Sequence, residues 1–405
     1  MRRFITFAGW IIIPLLIWWR TAQVSNQLNQ MRDITVGRFF DHDLATVVAL
    51  DSRADKVFVT ILLSNGARLR VTASPYFTAS PGDRHYYSGT PTWPAQPKPG
   101  EFDYGRWLIR QGFSGLGRGA LSSAREPPNE HFWLARQLYQ WRRTIIVQIR
   151  RLLPEPEASF LAGLLIGSRA DLPESVTEQL RRTGTSHIIA VSGANVVIVG
   201  GSMLWLARFI LYRPRPAFWL TQTTIWLFVL LTGASAAAVR GGLAASVMIT
   251  TSHHGRAPPS GTLLFLTASS MLLANPFIYI DVGWQLSMAA FAGLLYFGPP
   301  LSESKMLQRL PSLLRGPAAE TTAASLATMP VSMASFGTFS LTGLLANPLI
   351  LWLIPVATFA GLGSLVVVAL LPGLWLPARV IAWLPLHIIL TFVKWLSPLP
   401  LTWQL

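Results

Sequence analysis

The sequence contains no cysteine among its 405 residues. Disulfide bridges, thiolate catalysis and zinc sites built on thiolates are therefore excluded together. Charged residues are also scarce, at 13% of the chain, and neither a phosphate-binding loop nor a dinucleotide-binding fingerprint is present. The sequence therefore shows no energy-coupling site of its own.

Apolar residues, by contrast, are abundant and come in long runs. They form 51% of the chain, and the mean hydropathy is +0.42. Several runs approach the length of about twenty residues that crosses the hydrocarbon core of a bilayer, which predicts an integral membrane protein. The expected spans lie near residues 186–211, 217–233, 237–252, 261–274, 278–300, 318–340, 343–371 and 375–395.

Residues 1–22 predict a further transmembrane anchor. Basic residues precede an apolar run, no small-residue cleavage site follows, and Trp18 and Trp19 suit a membrane interface. We expect this anchor to remain uncleaved, with its N-terminus in the cytoplasm.

Residues 33–120 change to a hydrophobic period of two, which is typical of strands. Five short strands are expected, with an Asn-Gly turn at 64–66. The OB-fold is the commonest five-stranded barrel, although another small β-domain stays open. The predicted fold is a polytopic α-helical transmembrane bundle with a small extracytoplasmic β-barrel (OB-like) domain near the N-terminus.

Basic residues outnumber acidic ones, 33 to 18, and residues 38–151 alone hold 16 basic and 9 acidic side chains. At the end of this stretch, residues 128–153 predict a basic amphipathic helix lying on the membrane surface. Positive charge fits two interpretations: retention of loops in the cytoplasm, or contact with a polyanion or an anionic lipid. Residues 38–151 are expected outside the cytoplasm. Retention of basic loops in the cytoplasm therefore does not explain their surplus of basic residues.

Polar side chains at bilayer depth are costly, so their positions carry information about function. One group of hydroxyls recurs at intervals of three and four, which places its members on one face of a helix. This hydroxyl stripe comprises Thr321, Ser325, Thr328, Ser332 and Ser335. It predicts either the lining of a water-filled pore or close helix packing.

Four other polar residues fall in or near the expected spans. Arg240 is expected either to contact an anion inside the bundle or to extend its charge toward the membrane surface. Asn195 is expected to line the pore with Arg240. Asp281 and Gln285, one helical turn apart, predict a polar pair within reach of Arg240.

The pair His187 and Ser192 raises the question of serine catalysis. Five residues apart on one helix, their side chains diverge by about 140°, which disfavours a nucleophile and its base. His253 and His254 are adjacent and make a poor metal pair. We therefore expect no enzyme activity, no metal site and no cofactor.

Several ordered motifs resemble those of the ComEC competence proteins. "FLAGLLIGSRADLPESVTEQLRRTGTSHIIAVSGANVVIV" carries a Leu-Pro, an amphipathic helix ending in Arg-x-Gly-x-x-His, and then a Ser-Gly. "VRGGLAASVM" and "FGTFSLTGLLANPLILWLIPV" continue the similarity, which covers about 100–370 well and the β-region loosely. The sequence departs from many members at Ala194-Asn195-Val196 and in lacking cysteine.

The resemblance implies an inner-membrane channel, formed by residues 154–405, that passes single-stranded DNA inward during natural transformation. The implied partners are single-stranded DNA, membrane lipids, a DNA receptor, a separate nuclease and a cytoplasmic DNA-translocating ATPase. Since the metal-binding motif of the family's metallo-β-lactamase-like domain is not found, any nuclease role is expected to lie in another protein or to be absent.

Such a role would bring basic and aromatic side chains against phosphates and bases. The expected DNA contacts are Arg68, Arg70, Arg84, Tyr86, Arg142 and Arg143. Tyr76, Tyr87 and Trp93 are grouped with Tyr86 as exposed aromatics, with core packing or interface anchoring as the competing explanation. Two other function classes stay open: a transporter or flippase of another polyanion or lipid, and a non-catalytic membrane scaffold.

Overall fold

The computed structural model describes residues 2–52, 55–97, 103–168, 172–189, 193–255, 260–399 and 402–404. The chain divides into two compact units. The first comprises Met1–Trp141 and Ser269–Asp281, and the second comprises Arg142–Ala268 and Val282–Leu405. A short downstream segment therefore belongs to the N-terminal unit.

The first helix, α1 (Arg2–Thr35), is longer than the expected anchor of residues 1–22. Residues 21–35 contain no glycine or proline, so the helix continues to Thr35. It is followed by a turn at Gly37, whose φ of +80° favours glycine. The expected start of the β-domain at residue 33 therefore lies inside this helix.

Five strands close into a barrel, which confirms the strands expected from sequence alternation. They are β1 (Phe40–Ser52), β2 (Val57–Leu63), β3 (Arg68–Ala73), β4 (Arg84–Thr92) and β5 (Gly115–Ser123). Their order is β1-β2-β3-β5-β4, and β4 pairs back onto β1. β3 and β5 pair in parallel, and the other neighbours are antiparallel.

The barrel interior is filled by alternate apolar side chains, including the larger ring of Tyr87. Tyr87 is fully buried, its hydroxyl donates to the carbonyl of Arg118 at 3.2 Å, and burial raises the pKa of the phenol to about 12. Its grouping with the exposed aromatics is therefore wrong. The two-residue period of β4 turns Tyr87 inward and its neighbour Tyr86 to the other face.

Two helices accompany the strands: one lies between β4 and β5, and the other follows β5 and continues from the first unit into the second. α2 (Tyr104–Arg110) begins after Asp103, whose carboxylate accepts the N–H of Arg106 at 2.9 Å. α3 (Trp133–Leu152) occupies most of the expected basic helix 128–153. Its first half is tied to the barrel because Arg136 pairs with Asp83 at 2.9 Å.

The second unit is helical, and helices occupy the expected spans. They are α4 (Glu157–Ile166), α5 (Glu174–Arg182), α6 (Gly193–Leu211), α7 (Pro214–Leu231), α8 (Ala236–His253), α9 (Ser260–Ala274, its last part in the first unit), α10 (Val282–Tyr296), α11 (Gly298–Ser302), α12 (Ser312–Phe336), α13 (Gly343–Ile350), α14 (Leu353–Leu370) and α15 (Trp375–Leu396). Two short strands, β6 (Thr338–Ser340) and β7 (Thr402–Gln404), pair with each other.

Several expected spans differ from the helices that form. The region 278–300 is divided among a 3-10 turn at Pro276–Ile280, α10 and α11, and the helix in 318–340 ends at Phe336. The region 343–371 is divided into α13 and α14, and Pro355 lies in the first turn of α14, where a missing N–H is tolerated. The region 186–211 becomes helical only from Gly193, after a separate 3-10 turn at Ser186–Ile188.

The second unit has a large apolar core around α4 and α15 and a smaller cluster among α6, α7 and α8. α14 approaches α4 closely at Gly361, where a Cβ would lie 2.5 Å from Cδ1 of Leu161. Among the described residues, Leu353–Leu370 and Pro372–Leu396 are long and apolar enough to cross a membrane. Four other apolar helices are shorter: Glu157–Ile166, Asn195–Leu211, Gly261–Ala274 and Val282–Tyr296.

Candidate nucleic-acid interface

Arg70 on β3 lies between two aromatic rings. Its guanidinium carbon is 4.1 Å from the ring centre of Phe58 on β2 and 4.5 Å from that of Trp107 on α2. It also lies 3.6 Å from the carboxylate of Asp51, and only 10% of its side chain is exposed. This expected DNA contact is therefore engaged in joining the barrel to α2.

Arg68 extends the same arrangement along β3. Its guanidinium lies 5.7 Å from the ring centre of Phe113, which stacks on Trp107 at 5.9 Å. Burial lowers the pKa of Arg68, and its Nε is buried without a hydrogen-bond acceptor among the described residues. Phe58, Arg70, Trp107, Phe113 and Arg68 form what we call the arginine–aromatic stack.

The other expected contacts on the barrel differ in accessibility. Arg84 is paired with Glu126 at 2.5 Å. Tyr86 is half-buried, with its ring 6.0 Å from that of His42. Tyr76, in contrast, is 90% exposed and available for stacking.

A cleft of about 230 Å³ lies elsewhere in the first unit and shares Phe113 with the stack. It is lined by α1, α2 and the segment 276–280, including Arg32 and Arg106, and by Trp93, which follows β4. The guanidinium of Arg32 lies 5.4 Å from the ring centre of Trp93. Arg32 contacts Asp33 of α1 at 3.5 Å, and Arg106 contacts Asp103, the residue before α2, at 3.1 Å, so each arginine has a carboxylate partner.

Arg142 and Arg143, adjacent on α3, have different surroundings. The Nη2 of Arg142 donates to the carbonyl of Ile166 at 3.2 Å, in the last turn of α4. A cation is favoured there by the helix dipole, so Arg142 acts as a C-terminal cap. Arg143 is exposed.

Asn195 caps the same end of α4. It is 2% exposed, and its Nδ2 donates to the carbonyl of Leu164 at 3.2 Å. Carbonyls in the last turn of a helix have no partner within the helix, so this bond satisfies one of them. Asn195, expected to line a pore, is therefore engaged in joining α6 to α4.

Arg240 on α8 lies against the first turn of α6. Its Nη2 is 2.9 Å from the place where a Cβ of Gly193 would be, and its guanidinium lies 5.9 Å from the ring centre of Phe291. Within the described part of the chain, Arg240 makes no hydrogen bond or ion pair, and its Nε is buried. Arg240 is thus a half-buried cation without a compensating anion there.

Asp281 pairs with Arg110 at the end of α2, and these side chains are 16% and 17% exposed. The amide of Asn275 donates to the carbonyl of Arg110 at 3.1 Å in the same unit. Asp281 therefore has a cationic partner other than Arg240. Gln285, expected to pair with Asp281, is half-buried on α10.

The hydroxyl stripe runs along α12 from the buried to the exposed part of the helix. Thr321 is 5% exposed, and its hydroxyl has no partner among the described residues. Ser325, Thr328 and Ser332 are half-buried, and Ser335 is exposed. The stripe thus follows a gradient of accessibility.

A different face of α12 packs against α10. A Cβ on Gly293 of α10 would lie 2.5 Å from Cβ of Ala327 and 2.6 Å from the carbonyl oxygen of Ala323. At about 100° per residue, these alanines lie roughly 140° around α12 from the centre of the stripe. The close contact with α10 therefore does not account for the hydroxyls.

The geometry around His187 differs from that expected of one continuous helix. His187 lies in the 3-10 turn, with Nδ1 3.2 Å from the carbonyl oxygen of Gly184. Ser192, the other residue considered for catalysis, is outside the described residues. Among those described, no group of three metal-ligating side chains that could hold a metal ion is found.

The sequence analysis missed a buried carboxylate in the second unit. Glu157 on α4 has 6% of its side chain exposed, and its Oε1 lies 2.8 Å from Nδ1 of His387 on α15. The imidazole is 49% exposed and stacks on Trp383 at 4.3 Å between ring centres. The available signal was an acidic residue opening the otherwise apolar segment "EASFLAGLLI".

Comparison with known families shows to which family the chain belongs. A family model described as Competence protein matches residues 164–405, which is more than half of the chain. The chain belongs to this family. The resemblance to ComEC-type competence proteins is thereby confirmed, and the match includes Asn195, Arg240 and the whole hydroxyl stripe.

Two curated relatives support the assignment to the Competence family. ComE operon protein 3 of Bacillus subtilis (strain 168) is 26% identical over 277 residues, covering 68% of this chain and 34% of the relative. The uncharacterized protein YcaI of Escherichia coli (strain K12) is 26% identical over 279 residues, covering 65% and 34%. The chain thus spans about a third of the length of these relatives. No solved structure matches it.

Proposed function

We propose that this competence protein is an inner-membrane channel for single-stranded DNA during natural transformation. The proposal joins the family assignment to one structural observation, the half-buried guanidinium of Arg240, which has no counter-charge among the described residues. The expected partners are membrane lipids, a DNA receptor, a separate nuclease and a cytoplasmic DNA-translocating ATPase. These partners are proposed from the family resemblance.

Arg240 supports the passage of an anion because of its surroundings. A buried charge without a counter-charge is costly, typically several kcal/mol even after relaxation. A passing phosphate would compensate this charge and could accept two parallel hydrogen bonds from the planar guanidinium. A single such contact suits a channel, since many fixed cations would hold the polymer too tightly to release it.

The barrel supports an interaction with a single strand. Its five-stranded order, with β3 parallel to β5, fits the OB-like fold expected from the sequence. In that fold, the face of strands 2 and 3 is a common site for oligonucleotides. Here Arg70 on that face is engaged with α2, whereas Tyr76 is 90% exposed and available for base stacking. Arginine and aromatic side chains provide phosphate contact and base stacking.

A matched pair of substitutions tests the role of Arg240. Arg240→Gln is expected to abolish entry of labelled DNA into the cytoplasm of a competent host while the protein remains in the membrane. Arg379→Gln removes an arginine from another apolar helix, where it lies 5.9 Å from the ring centre of Trp375, and should leave entry unchanged. Normal entry in Arg240→Gln, or in a strain lacking the protein, would contradict the proposal.

The absence of cysteine allows a direct test of the proposed extracytoplasmic barrel. Ser64 lies in the turn between β2 and β3, and its exposed hydroxyl donates to Asp43 at 2.7 Å. Ser64→Cys gives the chain its only thiol. That thiol should react with an impermeant reagent in intact spheroplasts. Reaction only after lysis would place the barrel in the cytoplasm.

A further inference from the structure

Glu157 and His387 form an isolated ionisable pair in the large core of the second unit. Apart from His387, no side chain of the described residues pairs with the carboxylate of Glu157. His387 lies on α15, which is long and apolar enough to cross a membrane. Ionisable groups at such depth commonly mark ion or proton pathways.

The Glu157 carboxylate and the His387 imidazole differ in exposure. This difference determines how a proton could reach the carboxylate. Only 6% of the Glu157 side chain is accessible, whereas 49% of the His387 side chain is. The imidazole presents Nδ1 to the carboxylate at 2.8 Å, and its other nitrogen, Nε2, is on the far side of the ring. The imidazole therefore provides a route between the surface and the buried carboxylate.

We propose that Glu157 and His387 form a proton-exchange site that couples proton movement to the passage of DNA. The coupling rests on the proposed channel function, whereas the proton site does not. In the tautomer with its proton on Nδ1, neutral His387 donates to the Glu157 carboxylate. A proton from water binds Nε2, the Nδ1 proton moves to Oε1 of Glu157, and the products are a carboxylic acid and a neutral imidazole protonated on Nε2.

Protonation of Glu157 would change the charge around the pair, and the ionisable side chains on the adjoining elements determine the size of that change. α13 and α14 carry no ionisable side chain. On α5, hydrogen bonds from Arg181 and Arg182 lower the pKa of Glu178 to about 2, so this carboxylate remains charged and paired. The other ionisable residues on the adjoining elements are Arg136, Tyr139, Arg142, Arg143, Arg150 and Arg151 on α3, Glu155 before α4, Glu174 on α5, His187 on the 3-10 turn, and Arg379 and Lys394 on α15.

Glu155 provides a matched control for Glu157. It is also a carboxylate close to the start of α4, but its Oε2 accepts the backbone N–H of Ser159 at 3.2 Å. Glu155→Gln removes a nearby negative charge without affecting the imidazole. Glu157→Gln retains the size of the side chain and its capacity to bond to His387 but can no longer gain or lose a charge. His387→Asn retains a donor near the position of Nδ1 and removes the relay to Nε2.

The first experiment detects the proton without requiring DNA. Infrared difference spectra of the full chain in lipid vesicles are recorded as the pH is lowered. Because the chain has 18 acidic residues, the diagnostic signal is the component of the carboxylic acid carbonyl band that is present in the wild type and in Glu155→Gln and is lost in Glu157→Gln. An unchanged band in Glu157→Gln would overturn the proposal, because another carboxyl group would then be its source.

The second experiment tests the coupling in proteoliposomes containing the full chain and an internal pH indicator. A fluorescent single-stranded oligonucleotide is added under an imposed pH gradient, and its protection from added nuclease is measured. Wild type and Glu155→Gln should admit the oligonucleotide together with protons, and Glu157→Gln and His387→Asn should lose the part that depends on the gradient. Gradient-dependent entry in both of these variants would overturn the coupling.

The two experiments also separate failure of this inference from failure of the channel proposal. If wild-type proteoliposomes admit no oligonucleotide, the channel proposal and the coupling both fail, and the infrared spectra still decide the proton site. If the oligonucleotide enters equally well in all variants, the channel proposal stands and the coupling is wrong. A purely structural role for the pair predicts reduced amounts of folded protein rather than a loss confined to gradient-dependent entry.

Discussion

The carboxylate of Asp281 and the guanidinium of Arg110 form an ion pair that joins the downstream segment Ser269–Asp281 to α2 in the first unit. Both side chains are mostly buried, so removal of one charge leaves the other poorly solvated. Asp281→Asn is expected to lower stability by about 2 kcal/mol, between the typical values for exposed and fully buried pairs. Thermal unfolding of the full chain in detergent measures this effect.

An exposed ion pair of the same unit provides the control for Asp281→Asn. Asp55 and Lys56 lie 3.3 Å apart, with side chains 71% and 41% exposed. Asp55→Asn should change stability by less than about 1 kcal/mol. Equal effects of the two substitutions would mean that burial of the Arg110–Asp281 pair has no energetic consequence.

Asn195 is expected to contribute to stability by capping α4. Asn195→Ala removes the donor to the carbonyl of Leu164 and should cost about 1–3 kcal/mol, since a buried acceptor loses its partner. Thermal unfolding tests this change. DNA entry per folded molecule should remain unchanged, and a fully stable variant that blocks entry would instead support the expected position beside a pore.

Two substitutions on opposite parts of α12 distinguish packing from pore lining. Ala327→Leu adds bulk where α10 approaches at Gly293, and overpacking should destabilise the protein by about 1–3 kcal/mol or more. Ser332→Leu adds the same side chain on the hydroxyl stripe. It is expected to leave the protein folded in the membrane and to block DNA entry. Loss of folded protein in Ser332→Leu would identify the stripe as a packing surface.

His85 on β4 should make barrel stability depend on pH. Burial lowers the pKa of its imidazole from the usual 6.5, and the nearby carboxylate of Asp83 opposes this shift. The unfolded chain therefore binds the proton more readily, so the contribution of neutral His85 is complete above about pH 6.5 and is lost as the pH falls. The unfolding temperature should decrease on acidification, and less steeply in His85→Gln. Equal slopes would exclude His85 as the source.

Arg143 and Arg70 differ in exposure, so we expect substitution of the first to affect DNA binding and substitution of the second to affect stability. Arg143 is exposed, and Arg143→Ala should weaken binding of single strands by the full chain and reduce the salt slope by about 0.7 per lost phosphate contact. Arg70 lies between Phe58 and Trp107, so Arg70→Ala should destabilise the barrel by about 1–2 kcal/mol through the lost cation–π contacts. Fluorescence anisotropy at several salt concentrations and thermal unfolding measure the two effects. An unchanged salt slope in Arg143→Ala would exclude it as a phosphate contact.

Local patterns predicted the strands and most helices, because periods of two and of three to four depend on residues near one another in sequence. The inward position of Tyr87 follows from that same period, once the alternation along β4 is applied to every residue. The pairing of Arg110 with Asp281, and of Glu157 with His387, joins residues far apart in sequence. Charge and hydropathy along one sequence do not specify such partners, and for this reason the sequence predicted polar positions better than their contacts.

Because Ser269–Asp281 belongs to the first unit, folding of that unit in the nascent chain depends on residues that are translated much later. The bond from Asn275 to the carbonyl of Arg110 spans 165 residues of sequence. At about 5–20 residues per second, translation needs roughly 10 to 30 s to supply the later residue after the earlier one. The barrel strands are complete before that time, but α2 must wait for its downstream partners. The N-terminal unit therefore reaches its final form only after most of α4 to α9 has been synthesised.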